Sequence, residues 1–259
     1  MRNIKMLVFD LDGTLLRDDK TISDYTKSVL CRCREAGIKV AYATGRGGSA
    51  SVVAPSEHFD ARITQNGGIV TIGDTVVRKC HIPYQSARPL LLACDRQGLK
   101  TSTAVSGMHY TNFVAPDHWP EVKNYAIADF ARHELDAEAL HIIIESPDDV
   151  AFIEEHMPAE LYMTVTRDAL GMIMHQDATK SRAVAELARI WGINQSEIAA
   201  FGDDANDIDM LKYAGVGVAM GNALDEVKAA ADCICGGNDE DGAAVWIIYN
   251  VVFNKPRSP

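Results

Sequence analysis

Residues 6–14 constrain this chain more than any other stretch. Met6-Leu7-Val8-Phe9, with Ile4 just before it, is a short unbroken apolar run. Such a run near the N-terminus predicts a strand buried on both faces of a parallel sheet. It passes directly into Asp10-Leu11-Asp12-Gly13-Thr14. Two ionised carboxylates held side by side repel, and one of them would take up a proton. A divalent cation removes the conflict, and Mg²⁺ is the hard, oxygen-seeking ion that one or two carboxylates and a phosphate would share. Gly13 lets the backbone turn sharply and Thr14 adds a hydroxyl. Taken alone, the stretch reads equally well as a solvated Asp-Gly turn that ends a strand. The rest of the chain decides between these readings.

Ile22 to Ala36 reads as a helix, with Ser23 as N-cap and Gly37 as its stop. Lys39–Ala43 is the next strand and ends in Thr44-Gly45-Arg46. This strand–helix–strand unit predicts a parallel sheet with a right-handed crossover. Ala61–Thr64 is a third strand, followed by Asn66-Gly67-Gly68. Ile69–Ile72 and Thr75–Lys79, joined at Gly73-Asp74, form a hairpin.

The character of the chain changes near Pro83. To about residue 174 the pattern predicts helix Gln85–Gln97, strands Lys100–Val105 and Met108–Phe113, helix His118–Phe130, strand His141–Glu145, helix Pro147–His156 and strands Leu161–Thr166 and Gly171–His175. Paired strands among helices predict an open sheet with helices on one face. We read residues 83–177 as an inserted α+β domain and residues 1–82 with 178–259 as the core. His109, His141 and His175 in the insert are candidates for substrate contact, or are surface or packed histidines. After Asp177 the parallel pattern resumes. Thr179 caps a helix over Lys180–Trp191, and strand Ile198–Phe201 leads to Gly202-Asp203-Asp204-Ala205-Asn206-Asp207. Val216–Ala219 and Cys233-Ile234 are further strands. A final helix runs to about Val252, and the tail from Lys255 to Pro259 frays.

A length of 259 residues suits one large domain or a core with a smaller insert. The formal net charge of -11 argues against a nucleic-acid partner, which needs a basic face. It also means that an anionic substrate would need local positive charge or a metal. No apolar run approaches the roughly 20 residues of a membrane span, and no signal peptide precedes the first strand. The Cys233-Ile234-Cys235 pair has no second Cys or His pair to complete a zinc site. These features predict a cytoplasmic protein with reduced thiols. Its oligomeric state is not legible in the sequence.

Three apolar strands thus deliver polar clusters at their carboxyl ends: Asp10 with Asp12, Thr44 with Gly45, and Asp203 with Asp207. Ligands of open parallel sheets bind in the crevice outside those ends. Lys180 opens a helix, where its charge and the helix N-terminus can both face an anion. Together these residues amount to a set for one metal ion and one phosphate.

The set, in this order and spacing, resembles the haloacid dehalogenase superfamily in its Cof-like branch of small-molecule phosphatases. The resemblance rests on Asp10-Leu11-Asp12-Gly13-Thr14, Thr44-Gly45-Arg46, Asn66-Gly67, Lys180, the segment 202–207, Ala219-Met220-Gly221-Asn222-Ala223 and Asn238-Asp239-Glu240-Asp241-Gly242. It implies an α/β fold, a Rossmann-like core with a cap domain inserted between the second and third motifs. It further implies that Asp10 is the nucleophile and forms an aspartyl-phosphate, while Asp12 protonates the leaving oxygen and later activates water. Thr44, Gly45, Lys180 and Asn206 would hold the phosphoryl group. Asp10, Asp12 through its backbone carbonyl, and Asp203 would bind Mg²⁺, with Asp207 supporting the metal. Arg46 would reach the substrate or brace the loop. As a proton donor, Asp12 is expected to have a raised pKa beside its anionic neighbour. Ser181 follows Lys180 where many relatives have Gly, and the cap is shorter than in many of them.

The activity expected from this resemblance is Mg²⁺-dependent hydrolysis of the phosphate monoester of a small metabolite, with sugar phosphates first. Pyridoxal phosphate or a flavin-pathway phosphate are alternatives. So is phosphoryl transfer to another acceptor, as in phosphomutases, and so is a phosphometabolite-binding protein without turnover.

Overall fold

The structure is a computed structural model and describes residues 3–119, 122–166 and 169–252. The tail expected to fray lies outside these residues. In chain order the strands are β1 (Met6–Phe9), β2 (Lys39–Ala43), β3 (Ala61–Thr64), β4 (Ile69–Ile72), β5 (Thr75–Lys79), β6 (Thr101–Val105), β7 (Met108–Thr111), β8 (Tyr125–Ile127), β9 (Ala139–Ile143), β10 (Leu161–Val165), β11 (Leu170–His175), β12 (Ile198–Gly202), β13 (Val216–Ala219) and β14 (Cys233–Ile234). The helices are α1 (Asp24–Glu35), α2 (Ala50–Val53), α3 (Tyr84–Gln97), α4 (Pro147–His156), α5 (Lys180–Trp191), α6 (Ile208–Tyr213), α7 (Asp225–Ala230) and α8 (Gly242–Ile247). The chain divides into two compact units, Met1–Arg78 with Thr179–Pro259, and Lys79–Ala178.

The first unit is built on an eight-stranded sheet in the order β14-β13-β12-β1-β2-β3-β4-β5. From β14 to β3 every pairing is parallel, and β4 turns back antiparallel on β3. β1 lies between β12 and β2 and is wholly buried. A strand enclosed in this way must be apolar at every position, which explains the unbroken Met6–Phe9 run. Phe9 stacks on Phe201 of β12, with ring centroids 4.9 Å apart. Ser23 caps α1 by accepting a hydrogen bond from the Thr26 amide at 3.0 Å, and Gly192 closes α5 in the left-handed conformation.

The second unit carries a six-stranded sheet in the order β10-β11-β9-β6-β7-β8. Its pairings are antiparallel except for β7 with β8. The expected helix His118–Phe130 is absent among the described residues. A short 3₁₀ turn over Ala115–Asp117 ends just before that stretch and strand β8 lies within it, with Pro120 and Glu121 of the expected helix outside the described residues. Pairing with β7 overrides the local helical spacing there.

Register on this sheet brings together residues far apart in sequence. Ser102 lies opposite His141 and Ala104 opposite His109. The rings of His109 and His141 are 5.5 Å apart, and Trp119 lies 5.3 Å from each. His141 is only 5% exposed. Burial, aided by His109, pushes its pKa down from 6.5 to about 3. Burial also lowers His109 and His133. Between these limits the unfolded chain binds a proton that the folded chain refuses, so folding stability falls as pH drops from about 6.5 toward 3. His141 alone accounts for up to ~5 kcal/mol of that loss. Urea unfolding of wild type and His141→Phe between pH 7.5 and 5 measures it: wild type is expected to lose stability more steeply, and equal slopes would contradict the assignment.

Candidate active site

The site gathers at the carboxyl ends of β1, β2 and β12. Asp10 continues β1 by one residue, its amide donating to the Phe201 carbonyl at 2.9 Å. Its carboxylate, 6% exposed, accepts a hydrogen bond from Lys180 Nζ at 2.8 Å. Lys180 also donates to Asp207 Oδ1 at 2.6 Å, and its side chain is fully enclosed. The other oxygen of Asp207 accepts from the Asp203 and Asp204 amides at 3.0 and 3.1 Å. Both Asp207 oxygens are therefore engaged, which suits a supporting position. Asp203 accepts from the Thr14 hydroxyl at 2.9 Å. Gly13 has a φ of +77°, and a Cβ there would stand 2.3 Å from Asp203 Oδ2, so only glycine fits.

Three buried carboxylates thus cluster around a single ammonium that contacts two of them, Asp10 and Asp207. Ligand oxygens of Asp10, Asp203 and Asp207 lie within 4.8 Å of one another. Burial pushes the pKa of Asp10 up, Lys180 pulls it back, and Asp207 and Asp203 raise it again, for a net rise well above the usual value. Lys180 cannot balance all three charges. This excess of buried negative charge, in an all-oxygen donor set, fits a divalent cation.

Asp12 does not join this group. Its carboxylate accepts from Arg46 Nε at 2.5 Å, Arg46 Nη2 at 2.7 Å and Lys20 Nζ at 2.9 Å. The expected rise of its pKa is therefore not found. Burial does push it up, but the hydrogen bonds and charges of Arg46 and Lys20 outweigh burial and lower it. Arg46 braces Asp12, and its amide donates to Thr44 Oγ1 at 3.1 Å. Thr44 is buried and Gly45 half-buried at the end of β2. Spacing gave no sign of Lys20; only the reversal of the loop after Thr14 brings it to Asp12.

The start of α5 also differs from expectation. Ser181 gives its amide and hydroxyl to Asp209 Oδ2 at 3.2 and 2.6 Å, and the Arg182 amide donates to Thr179 Oγ1 at 3.3 Å. Side chains have taken these helix N–H groups, so charge here comes from the Lys180 ammonium.

Asn206 is half-buried and donates from Nδ2 to Asn66 Oδ1 at 3.0 Å. The segment holding Asn66 is strained. Gln65 and Asn66 both have positive φ, 51° and 50°, a backbone state that asparagine tolerates but that costs a residue such as Gln65 about 1–3 kcal/mol. Gly67, at φ +105°, packs so closely that a Cβ would sit 2.1 Å from the Thr179 carbonyl oxygen. The second unit's His175 accepts from the Asp177 amide at 3.1 Å, and His141 and His109 lie in the cluster described above.

Among the described residues, no helix is long and apolar enough to cross a membrane. Several comparisons bear on this arrangement. The sequence profile of the haloacid dehalogenase-like hydrolases matches residues 7–247. Putative phosphatase YxeH of Bacillus subtilis (strain 168) is 28% identical, over 97% of this chain and 99% of the relative. The 5-amino-6-(5-phospho-D-ribitylamino)uracil phosphatase YcsE of the same organism is 28% identical, over 96% of this chain and 97% of the relative. The solved structure of the subclass IIB sugar phosphatase BT4131 superposes with a TM-score of 0.83 at 26% identity, covering 95% of this chain and 98% of the other. On its fold, its buried acidic site and these matches, the chain belongs to the haloacid dehalogenase-like hydrolase family.

Proposed function

We propose that this phosphoric monoester hydrolase releases phosphate from a small phosphorylated metabolite, a sugar phosphate first among them, through an aspartyl-phosphate on Asp10 and with Mg²⁺. The observation that carries this reading is the enclosed Asp10–Lys180–Asp207 contact beside Asp203. A carboxylate nucleophile divides a difficult displacement into two easier steps, but its charge repels a phosphate dianion. Lys180 offsets part of that repulsion. Asp10, Asp203 and the Asp12 carbonyl would hold the metal, with Asp207 behind them, and the bound ion would supply the remaining positive charge.

In the first step an Asp10 oxygen bonds to phosphorus, the ester oxygen departs, and Asp12 gives it a proton. In the second, Asp12 takes a proton from water, the water oxygen bonds to phosphorus, the bond between phosphorus and the Asp10 oxygen breaks, and inorganic phosphate leaves Asp10 as a carboxylate. Thr44, Gly45, Lys180 and Asn206 hold the phosphoryl oxygens. Two cations keep Asp12 ionised where it lies, so it must leave Arg46 and Lys20 to carry a proton. We assign recognition of the organic group to the inserted unit and place the protein in the cytoplasm.

Hydrolysis of sugar phosphates, pyridoxal phosphate and 5-amino-6-(5-phospho-D-ribitylamino)uracil, with Mg²⁺ and with chelator, tests the reading. Turnover is expected only with the metal and highest on a sugar phosphate. Equal, negligible rates in both conditions would overturn it, and a preference for either other ester would replace the sugar.

A further inference from the structure

Asn66 has three features that no role assigned so far explains. It is 1% exposed. It is held in the left-handed region, which asparagine tolerates, next to Gln65 in the same region, where a glutamine is rarely found. Its Nδ2 is buried with no hydrogen-bond partner among the described residues. A buried amide without a partner is uncommon and calls for an explanation. Backbone strain at Gln65 beside an unpaired buried donor on Asn66 is a cost that surrounding structure sustains chiefly at functional sites.

The contacts of Asn66 place it among the phosphoryl-binding candidates. Its amide donates to the Thr44 carbonyl at 2.9 Å. Its Oδ1 accepts from Asn206 Nδ2 at 3.0 Å. The next residue, Gly67, lies against the carbonyl of Thr179, which caps the helix beginning at Lys180. Three segments that supply Thr44, Asn206 and Lys180 therefore converge on this one strained turn.

We propose that Asn66 is a positioning residue of the phosphoryl site. Its carboxamide oxygen fixes the Asn206 carboxamide, and its own N–H is kept for an oxygen of the bound phosphate group. This rests on the phosphatase reading above. Left-handed backbone at 65 and 66 is what brings the Asn66 side chain to Asn206 while its amide stays on Thr44.

The test uses the full chain with Mg²⁺ and inorganic phosphate as probe. Asn66→Gly keeps the backbone conformation and removes the carboxamide; Asn66→Asp keeps an acceptor for Asn206 and removes the donor. Both variants are expected to melt within a few degrees of wild type. Both should bind inorganic phosphate about 10- to 100-fold more weakly by calorimetry, the range for losing a hydrogen bond to a charged group, with a matching fall in kcat/KM on p-nitrophenyl phosphate. Because Asn66 acts partly through Asn206, the double variant Asn66→Gly/Asn206→Ala should lose less than the product of the two single losses. Wild-type phosphate affinity in both Asn66 variants, or fully multiplicative losses in the double variant, would overturn the proposal. If wild type hydrolyses no ester, the phosphatase reading fails, and the phosphate affinities of wild type and variants still decide the role of Asn66. No phosphate binding by wild type overturns that role as well.

Discussion

Asp10→Asn is expected to abolish turnover, by about four orders of magnitude or more, while leaving the metal-free protein at least as stable as wild type. Turnover is lost with the nucleophile, and stability is kept because of the charges around it. Burial, with the charges of Asp207 and Asp203, pushes the Asp10 pKa upward against the pull of Lys180. Without a metal, Asp10 holds a proton more readily than an ordinary carboxyl, and asparagine closely copies a protonated aspartate. The sign follows from linkage. A carboxyl with a raised folded-state pKa stabilises most at low pH, and loses that contribution as pH rises from its unfolded value of 3.8 through the folded one. In chelator, wild type should show this decline and Asp10→Asn should not. Mg²⁺ should raise the melting temperature of wild type and have little effect on the variant. Residual Mg²⁺-dependent turnover near the wild-type rate would exclude Asp10 as the nucleophile.

Lys180→Ala is expected to lower stability by about 3–5 kcal/mol, the effect of stripping one partner from a buried ion pair. In a chain of this size that corresponds to a melting temperature roughly 10 °C lower. Burial alone would lower the Lys180 pKa, but Asp10 and Asp207 outweigh it and the net direction is upward. The ammonium therefore contributes its full stabilisation at every pH below its unfolded value of 10.5, and loses it only in strong base. Without it, three buried carboxylates face one another with no ammonium among them. Mg²⁺ should restore part of the lost stability, since a divalent ion can replace one ammonium among these oxygens, but turnover should stay down by about 10²–10³-fold. Arginine should not rescue activity, because the planar guanidinium does not fit a pocket that encloses an ammonium completely. Wild-type stability of Lys180→Ala in chelator would show that the carboxylates do not share a site.

The core was legible because its strands are enclosed on both faces. Met6–Phe9 and Val40–Ala43 are continuous apolar runs that stop at Asp10 and Thr44, and Val216–Ala219 is likewise free of polar side chains; each lies in an expected strand. The inserted unit was harder to read at 118–130. There the spacing of apolar residues satisfies a helix, whereas a parallel partner, β7, draws Tyr125–Ile127 into the sheet. Residues 112–124 supply the length that a parallel connection needs. Nothing local in the sequence reports that partner.

At the site, the sequence indicated which carboxylates end strands but not which cation each would meet. Asp10 and Asp12 are two residues apart, yet one contacts Lys180, 170 positions away, and the other Arg46, 34 positions away. The expectation that Asp12 holds a proton failed on that contact, and Lys20 adds to it from a loop with no motif of its own. Asn206 was identifiable by its place in the segment 202–207. Its partner Asn66, 140 positions away, stands in a pair the sequence singles out, Asn66-Gly67, but its burial and its contact with Asn206 are visible only in the structure.

The most direct measurement is the state of Asp10 during turnover. Enzyme mixed with Mg²⁺ and a hydrolysed phosphate ester is quenched in acid, digested and weighed by mass spectrometry. One phosphoryl group is expected on the peptide containing Asp10, present only while substrate remains and missing in Asp10→Asn. Steady turnover with the phosphoryl group on another residue, or with all of it passing directly to water, would contradict attack by Asp10.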